Sequence, residues 1–450
     1  MSDLQNMAAM LVDRARGDES LEAFVTHSRD FTVKAYGGEV ESLSSAEPRG
    51  AGVRIIDSER VGFAHTTVLS ERGLDEVVAA ARENAQHASA DPAVALAPAW
   101  DASPPDIAGL IEESQENVEP DTKVAFALDL ERITRTFDPR IRTVEEALYS
   151  DSISEVAIAT STGISGAYRR TDAWCYSLAI ATEGDETQIG FEFDLARSLG
   201  NLDAEQVATR AAERALATLG ATKVPSARMP ILLDPYTAGQ FLGVIASALT
   251  GEAVQKGRSL FAGRIDEAVA DAKVTLIDDG RVEGAPGSSP WDAEGVPTQR
   301  TLVIENGVLR SFLYDLTSAN REGRESTGNA SRAGFKSGPG PSPSNMAFEP
   351  TGEKRDELLH RADRALLVHD FHGVHSGTNP VSGDFSVGVT GHLVENGTIT
   401  KPVKEVTIAA PMLDILSRIE GVADDQRWLP FGGSYGGATT LISEMTVAGS

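Results

Sequence analysis

A single cysteine, Cys175, serves all 450 residues, so no disulfide can form within the chain and no thiolate cluster can hold zinc or iron. Cys175 sits in strand-like alternation without an adjacent histidine or carboxylate, and it reads as a small buried hydrophobe. Basic residues are scarce too: 40 against 67 acidic ones leave a formal charge of −27. Such a surface is well solvated and repels both a phosphate backbone and an anionic membrane, which argues against nucleic acid as a direct partner. No run approaches the roughly 20 apolar residues of a membrane helix. The opening MSDLQNMAAMLVDRARG lacks a basic stretch followed by an apolar core, so we expect no export signal, no membrane span and a cytoplasmic location. Missing as well are a P-loop, an H-E-x-x-H pair and any G-x-S-x-G set in the strand-to-helix turn of a nucleophile elbow. The glycine-rich PFGGSYGG has no strand-to-helix setting and is not a dinucleotide fingerprint.

What is present describes an ordinary globular chain, 41% hydrophobic and 24% charged, long enough for two domains. Leu4, Met7, Leu11 and Ala15 recur at helical spacing behind a possible cap at Asp3. Residues 21–68 read as an antiparallel meander. Leu74, Val77, Val78, Ala81 and Ala85 then mark an amphipathic helix capped by Ser70. Residues 89–121, rich in Pro, Ala and Asp, read as a surface connection between two units. After a helix carrying Val124, Leu128 and Phe137, residues 141–196 read as four strands, and Asp203 caps a further helix. The expected fold class is α+β: an amino-terminal domain, 1–222, with helices packed on an antiparallel sheet, and a β-rich, barrel-like or sandwich-like domain, 223–450. The second contains the apolar helix YTAGQFLGVIASALTG and two hairpins turning at Asn306-Gly307 and Asn396-Gly397, pairs suited to the positive φ angles of a type I′ turn.

Two features hold candidate chemistry. His369, His372 and His375 recur at intervals of three, a spacing that neither a helix nor a strand converts into three converging rings. A loop could still gather His372 and His375 with Asp384 into a metal site. Residues 325–350, ESTGNASRAGFKSGPGPSPSNMAFEP, are rich in Gly, Ser and Pro; a loop that long inside a domain is functional or a disordered excursion.

The wording of DAEGVPTQRTLVIENG and STGNASR, then NPVSGDFSVGVTGHLVENGTITKPVKEVTIA and MTVAGS, resembles the TldD/PmbA family. The resemblance covers nearly the whole chain, since GAGVRIIDSERVGFAHTTVLS is similar to the family's amino-terminal domain. In the TldD-like branch a His-Glu-x-x-x-His helix supplies two zinc ligands and a general base, with a cysteine near the carboxyl terminus as third ligand. Aligned on GEAVQKGRSLFAG, the ligand positions fall at Leu242 and Ser247 and the glutamate position at Gly243. None can serve, and the tail has no cysteine. The departure matches the TldE/PmbA-like branch. What it implies is a subunit with no catalytic residues and no metal of its own, paired with a zinc-bearing TldD-like subunit in a heterodimeric chamber that degrades or trims unfolded peptides. Thr327, Gly328, Asn329 and Arg332 are its candidate peptide contacts. Two other readings stay open: a metal-dependent peptidase built on His372, His375 and Asp384, and a homodimeric peptide-binding scaffold. The family's association with DNA gyrase modulation would, in so acidic a chain, be indirect.

Overall fold

The computed structural model describes residues 2–429 and 433–449. Side-chain caps start its longer helices. The Ser2 hydroxyl accepts from the Gln5 N–H at 3.2 Å and opens α1 (Asp3–Val12), one residue ahead of the expected Asp3. Ser70 opens α2 (Glu71–His87) by accepting from the Gly73 N–H. α3 (Pro120–Thr136) begins on a proline, and Asp203 caps α4 (Ala204–Ala217).

These helices lie on one seven-stranded antiparallel sheet. Its strands are β1 (Ser20–Tyr36), β2 (Glu39–Ala46), β3 (Arg49–Asp57), β4 (Arg60–Thr66), β5 (Ile141–Thr160), β6 (Ser165–Glu183) and β7 (Glu186–Ala196). The order β4-β3-β1-β5-β6-β7, with β2 also on β1, is not the simple meander expected: β1 pairs β3 through Ser20–His27 and β2 through Asp30–Tyr36. The four strands expected over 141–196 are three. β5 continues through Ser150, Asp151 and Ser152 because Lys123 of α3 neutralises Asp151 at 2.7 Å. The two serine hydroxyls meet Thr32 and Asp30 of β1 at 2.8 and 2.7 Å.

Apolar faces then decide the packing. Leu4, Ala8 and Leu11 of α1 and Leu74 and Val78 of α2 share a core with Leu21, Val53 and Ile55. Ala127 and Leu130 of α3 and Val207 and Ala208 of α4 cover Val33, Tyr149 and Cys175. Burying side chains of this kind stabilises by about 1.5–3 kcal/mol for each Leu or Ile. Segment 89–121 joins α2 to α3 and is tied to the second domain as well. The Trp100 indole N–H donates to the Gly295 carbonyl at 2.7 Å, and the Asn320 amide to that of Ala93 at 2.8 Å.

Past α4 the chain enters β8 (Ala227–Leu233) and α5 (Pro235–Ala246). Five strands close into a barrel: β8, Arg364–His372, Asp384–Glu395, Thr398–Pro411 and Thr440–Ala448. β8 runs parallel to the first of these neighbours and antiparallel to the last strand. A six-stranded sheet built mainly on Leu276–Asp279 and Arg300–Glu305 stands beside the barrel. Phe241, Leu242 and Ile245 of α5 join one core with Ile231 and Phe385 of the barrel and Val303 and Met346 of that sheet. Both Asn-Gly pairs take positive φ, 48° and 82° at Asn306-Gly307 and 52° and 70° at Asn396-Gly397. The fold class is α+β, its second half a closed barrel with a neighbouring sheet. Among the described residues no helix is long and apolar enough to cross a membrane.

Candidate functional site

α5 is the helix on which zinc would sit in the catalytic branch. Asp234 caps it, accepting from the Thr237 N–H at 3.0 Å, and the ligand positions that follow are built as packing. Leu242 is fully buried. A Cβ on Gly243 would stand 3.1 Å from the Tyr435 ring, and one on Gly239 would stand 2.6 Å from the Leu429 side chain. Ser247 is exposed and donates its hydroxyl to the Val244 carbonyl at 2.9 Å. An alkyl group, a bare glycine and one hydroxyl are not a donor set for zinc, and the Tyr435 ring crowds the glutamate position at Gly243. A cleft of about 630 Å³, bordered by Gln240, Gly243, Ser247, Phe371 and His375, remains over the helix. Among the described residues no three His, Cys, Asp or Glu side chains come together in a way that could hold a metal ion.

Residues 325–350 are ordered, so they are no disordered excursion: Ala330–Ser331 pairs with Gly340–Pro341, and Met346–Phe348 enters the six-stranded sheet. The four candidate peptide contacts bond within the chain. The Thr327 hydroxyl accepts from the Tyr314 N–H and donates to the side-chain amide oxygen of Asn329, each at 2.7 Å. Asn329 is buried and donates to the Asp278 carboxylate at 2.6 Å. Gly328, at φ +69°, passes so close to Pro297 that a Cβ would lie 2.7 Å from its carbonyl oxygen. Arg332 donates to the Ala293 carbonyl and to Glu22 and lies 4.8 Å over the Phe24 ring. The Arg332 contact extends into a buried ionic chain across the domains. Glu22 accepts from Arg54 at 2.7 Å, and Arg54 donates onward to Glu294 at 2.9 Å. Of the four candidates, Gly328 and Arg332 also border a cleft of about 570 Å³ lined by Trp174, Trp291 and Arg170.

The three histidines diverge. His372 contacts the Thr390 hydroxyl at 2.8 Å, and His375 borders the α5 cleft. Asp384 accepts from the Ser382 hydroxyl at 2.5 Å. His372, His375 and Asp384 thus form no common site: His372 ends one barrel strand, His375 lies in the short helix Val374–Gly377 and Asp384 opens the next barrel strand. His369 instead joins a relay: Nδ1 lies 3.2 Å from Asp234, and Nε2 lies 3.1 Å from Nδ1 of His392, whose Nε2 lies 3.0 Å from the Ala217 carbonyl of α4. Proton positions are assigned from the partners. The Ala217 carbonyl can only accept, so His392 Nε2 carries a hydrogen. A neutral His392 then accepts at Nδ1 from His369, whose other N–H faces the Asp234 carboxylate. Burial alone would raise the Asp234 pKa, but the His369 hydrogen bond and the Arg214 charge hold it below the usual carboxylate range. Burial, then the His369 charge, lowers that of His392. No local motif announces this relay, since Asp234 and His392 are far from His369 in sequence. It sits in a cleft of about 910 Å³ between β7 and α4 on one side and barrel residues 388–392 and 404–407 on the other.

Comparison with known proteins agrees with this architecture. The chain matches the PmbA/TldA metallopeptidase domain 1 over residues 21–85, the central domain over 113–219 and the C-terminal domain over 226–449. The metalloprotease PmbA of Escherichia coli O157:H7 is 26% identical, over 99% of this chain and 96% of its own length. An uncharacterized protein of Methanocaldococcus jannaschii is 30% identical over 85% and 86%. A Thermotoga maritima structure, described as a candidate modulator of a DNA gyrase, superposes with a TM-score of 0.90 at 25% identity, over 99% of this chain and all of its own. TldE from Thermococcus kodakarensis has the same fold, with a TM-score of 0.88 at 24% identity over the whole of both chains.

Proposed function

The chain belongs to the PmbA/TldD metallopeptidase family, and on that premise we propose that it is the non-catalytic subunit of a TldD/TldE-type zinc metalloprotease. One observation supports the proposal: at the positions where the resemblance places two ligands and a base stand a buried Leu242, Gly243 without a side chain and Ser247, whose hydroxyl is given to the Val244 carbonyl. A chain built this way supplies no activated water. Its contribution is to complete a chamber around the zinc of a TldD-like partner in the cytoplasm and to present unfolded peptide to that zinc. Any effect on gyrase follows indirectly, through a degraded protein, because the charge of −27 opposes DNA binding.

Metal content and peptidase activity on an unfolded peptide test the reading, first with the purified chain and then with a TldD-like chain added. The expected result is no stoichiometric zinc and no cleavage alone, with the chain required for full activity of the mixture. Stoichiometric zinc and chelator-sensitive cleavage by the chain alone would overturn the proposal.

A further inference from the structure

β7 is the outer strand of its sheet, and the two halves of its free edge are built differently. Gly184 and Asp185 form a two-residue turn, with Glu183 opposite Glu186. In such a hairpin the pair flanking the turn exchanges both backbone hydrogen bonds. Even-numbered residues of β7 therefore bond to β6, and odd-numbered ones aim N–H and C=O outward. From Phe191 onward side chains cap these outward groups. Arg214 donates to the Phe191 carbonyl at 3.3 Å and Arg427 to that of Phe193 at 2.7 Å. The N–H groups of Phe193 and Leu195 donate to Glu192 and Asp194 at 3.1 and 2.9 Å. Thr187 and Ile189 have no such caps: among the described residues neither backbone bonds outward. The Ile189 side chain is 58% exposed. Free edges in soluble proteins are ordinarily blunted with charges or prolines, so an apolar, uncapped stretch beside a capped one marks an edge kept open for use.

Its surroundings say what fits. The uncapped residues form one wall of the 910 Å³ cleft, which the barrel closes on the other side. That volume suits a short chain segment and leaves no room for another folded sheet. The cations lining the cleft are already paired, Arg214 with Glu192 and Asp234 at 3.3 and 3.5 Å and Lys404 with Glu186 at 2.5 Å. Glu213 has no ion pair among the described residues, and Asp370 meets only His372, at 4.0 Å. The unmatched charge is negative.

We propose that Thr187–Phe191 is a docking edge for an extended peptide that pairs with Thr187 and Ile189, places an apolar side chain against Ile189 and turns a lysine or arginine toward Glu213 and Asp370. The choice of peptide as occupant rests on the subunit reading above; the open edge does not. An extended strand supplies the alternating donors and acceptors that Thr187 and Ile189 lack, and its specificity comes from these flanking side-chain contacts, as in other strand-addition sites.

Fluorescence anisotropy with a fluorescein-labelled ten-residue peptide of alternating Val and Lys tests this. Its backbone N-methylated form and a Val/Glu peptide serve as controls. Ile189→Pro removes an outward N–H and leaves the ladder to β6 intact; Ile189→Lys adds a guarding charge and keeps the backbone. We expect saturable binding of the Val/Lys peptide, weakened about tenfold or more by either substitution and by either control. No saturable binding to the wild type, or equal affinity in both variants, would overturn the proposal. Mixing with a TldD-type peptidase separates it from the subunit reading. Equal stimulation of the peptidase by wild type and both variants sinks the edge and spares the subunit. Peptide binding through Ile189 with no stimulation sinks the subunit and spares the edge.

Discussion

Replacing Arg54 by methionine should loosen the two domains from each other. Arg54 is buried in β3 of the first domain and donates to Glu22 of the same sheet and to Glu294 of the second domain, while Arg332 of the second domain reaches back to Glu22. The side chains of all four are at most 5% exposed. Methionine keeps much of the volume and removes both charged donors, so Glu294 retains only the Leu316 N–H at 2.8 Å and Glu22 only Arg332. Breaking a buried pair in this way costs about 3–5 kcal/mol, because a carboxylate is left without its counter-charge. For domains of this size each kcal/mol moves Tm by about 2–4 °C, so a drop on the order of 10 °C is expected. Differential scanning calorimetry should also show the transition broaden or split, since the lost contacts join the domains. Arg54→Met/Glu294→Gln, which removes the orphaned charge and leaves Glu22 paired with Arg332, should recover part of the loss. A Tm within about 2 °C of wild type, with one unchanged transition, would refute the view that this chain couples the domains.

Three further outcomes follow from titratable groups. The folded protein disfavours charge on His392, so its stabilising contribution is complete above about pH 6.5 and is lost as pH falls below that value. His392→Phe should flatten the fall of the urea midpoint between pH 7 and 5, and an unchanged slope would count against the proton assignment in the relay. Asp278 has the opposite sign. Burial drives its pKa from 3.8 up to about 6 despite hydrogen bonds from Asn329 and Ser344, so its contribution is complete below pH 3.8 and is lost as pH rises through 6. Relative to wild type, Asp278→Asn should gain up to about 3 kcal/mol between pH 4 and 7, measured by urea unfolding. Cys175 is fully buried and its thiol is pushed up chiefly by burial, so a disulfide reagent should find no reactive thiol in the native protein and one after denaturation.

Local chemistry was the legible part. The caps at Ser70 and Asp203 and the two Asn-Gly turns are decided by neighbouring residues, and each stands where the sequence places it. The continuity of β5 was not legible, because the groups that keep Ser150, Asp151 and Ser152 in a strand come from β1 and α3. For the site the limit was sharper. Absence of zinc ligands from α5 is visible in the string of letters, whereas Tyr435 filling the space beside Gly243 is not. Arg332, taken as a peptide contact, is joined to Glu22 from the other end of the chain. His369 finds partners at Asp234 and His392 that no spacing rule connects.

The barrel also sets an order of events during synthesis. β8 closes the ring only by lying between Arg364–His372 and Thr440–Ala448, so the first stave made waits for the last. The amino-terminal sheet is complete once β7 emerges and can fold while the ribosome is still translating. At about 5–20 residues per second, β8 and its apolar Ile231, Leu232 and Leu233 then stand unpaired for on the order of ten seconds or more. Such an edge is what chaperones retain and proteases find. A chain released before Thr440 could never cover it, so a truncated product would carry its own mark for disposal.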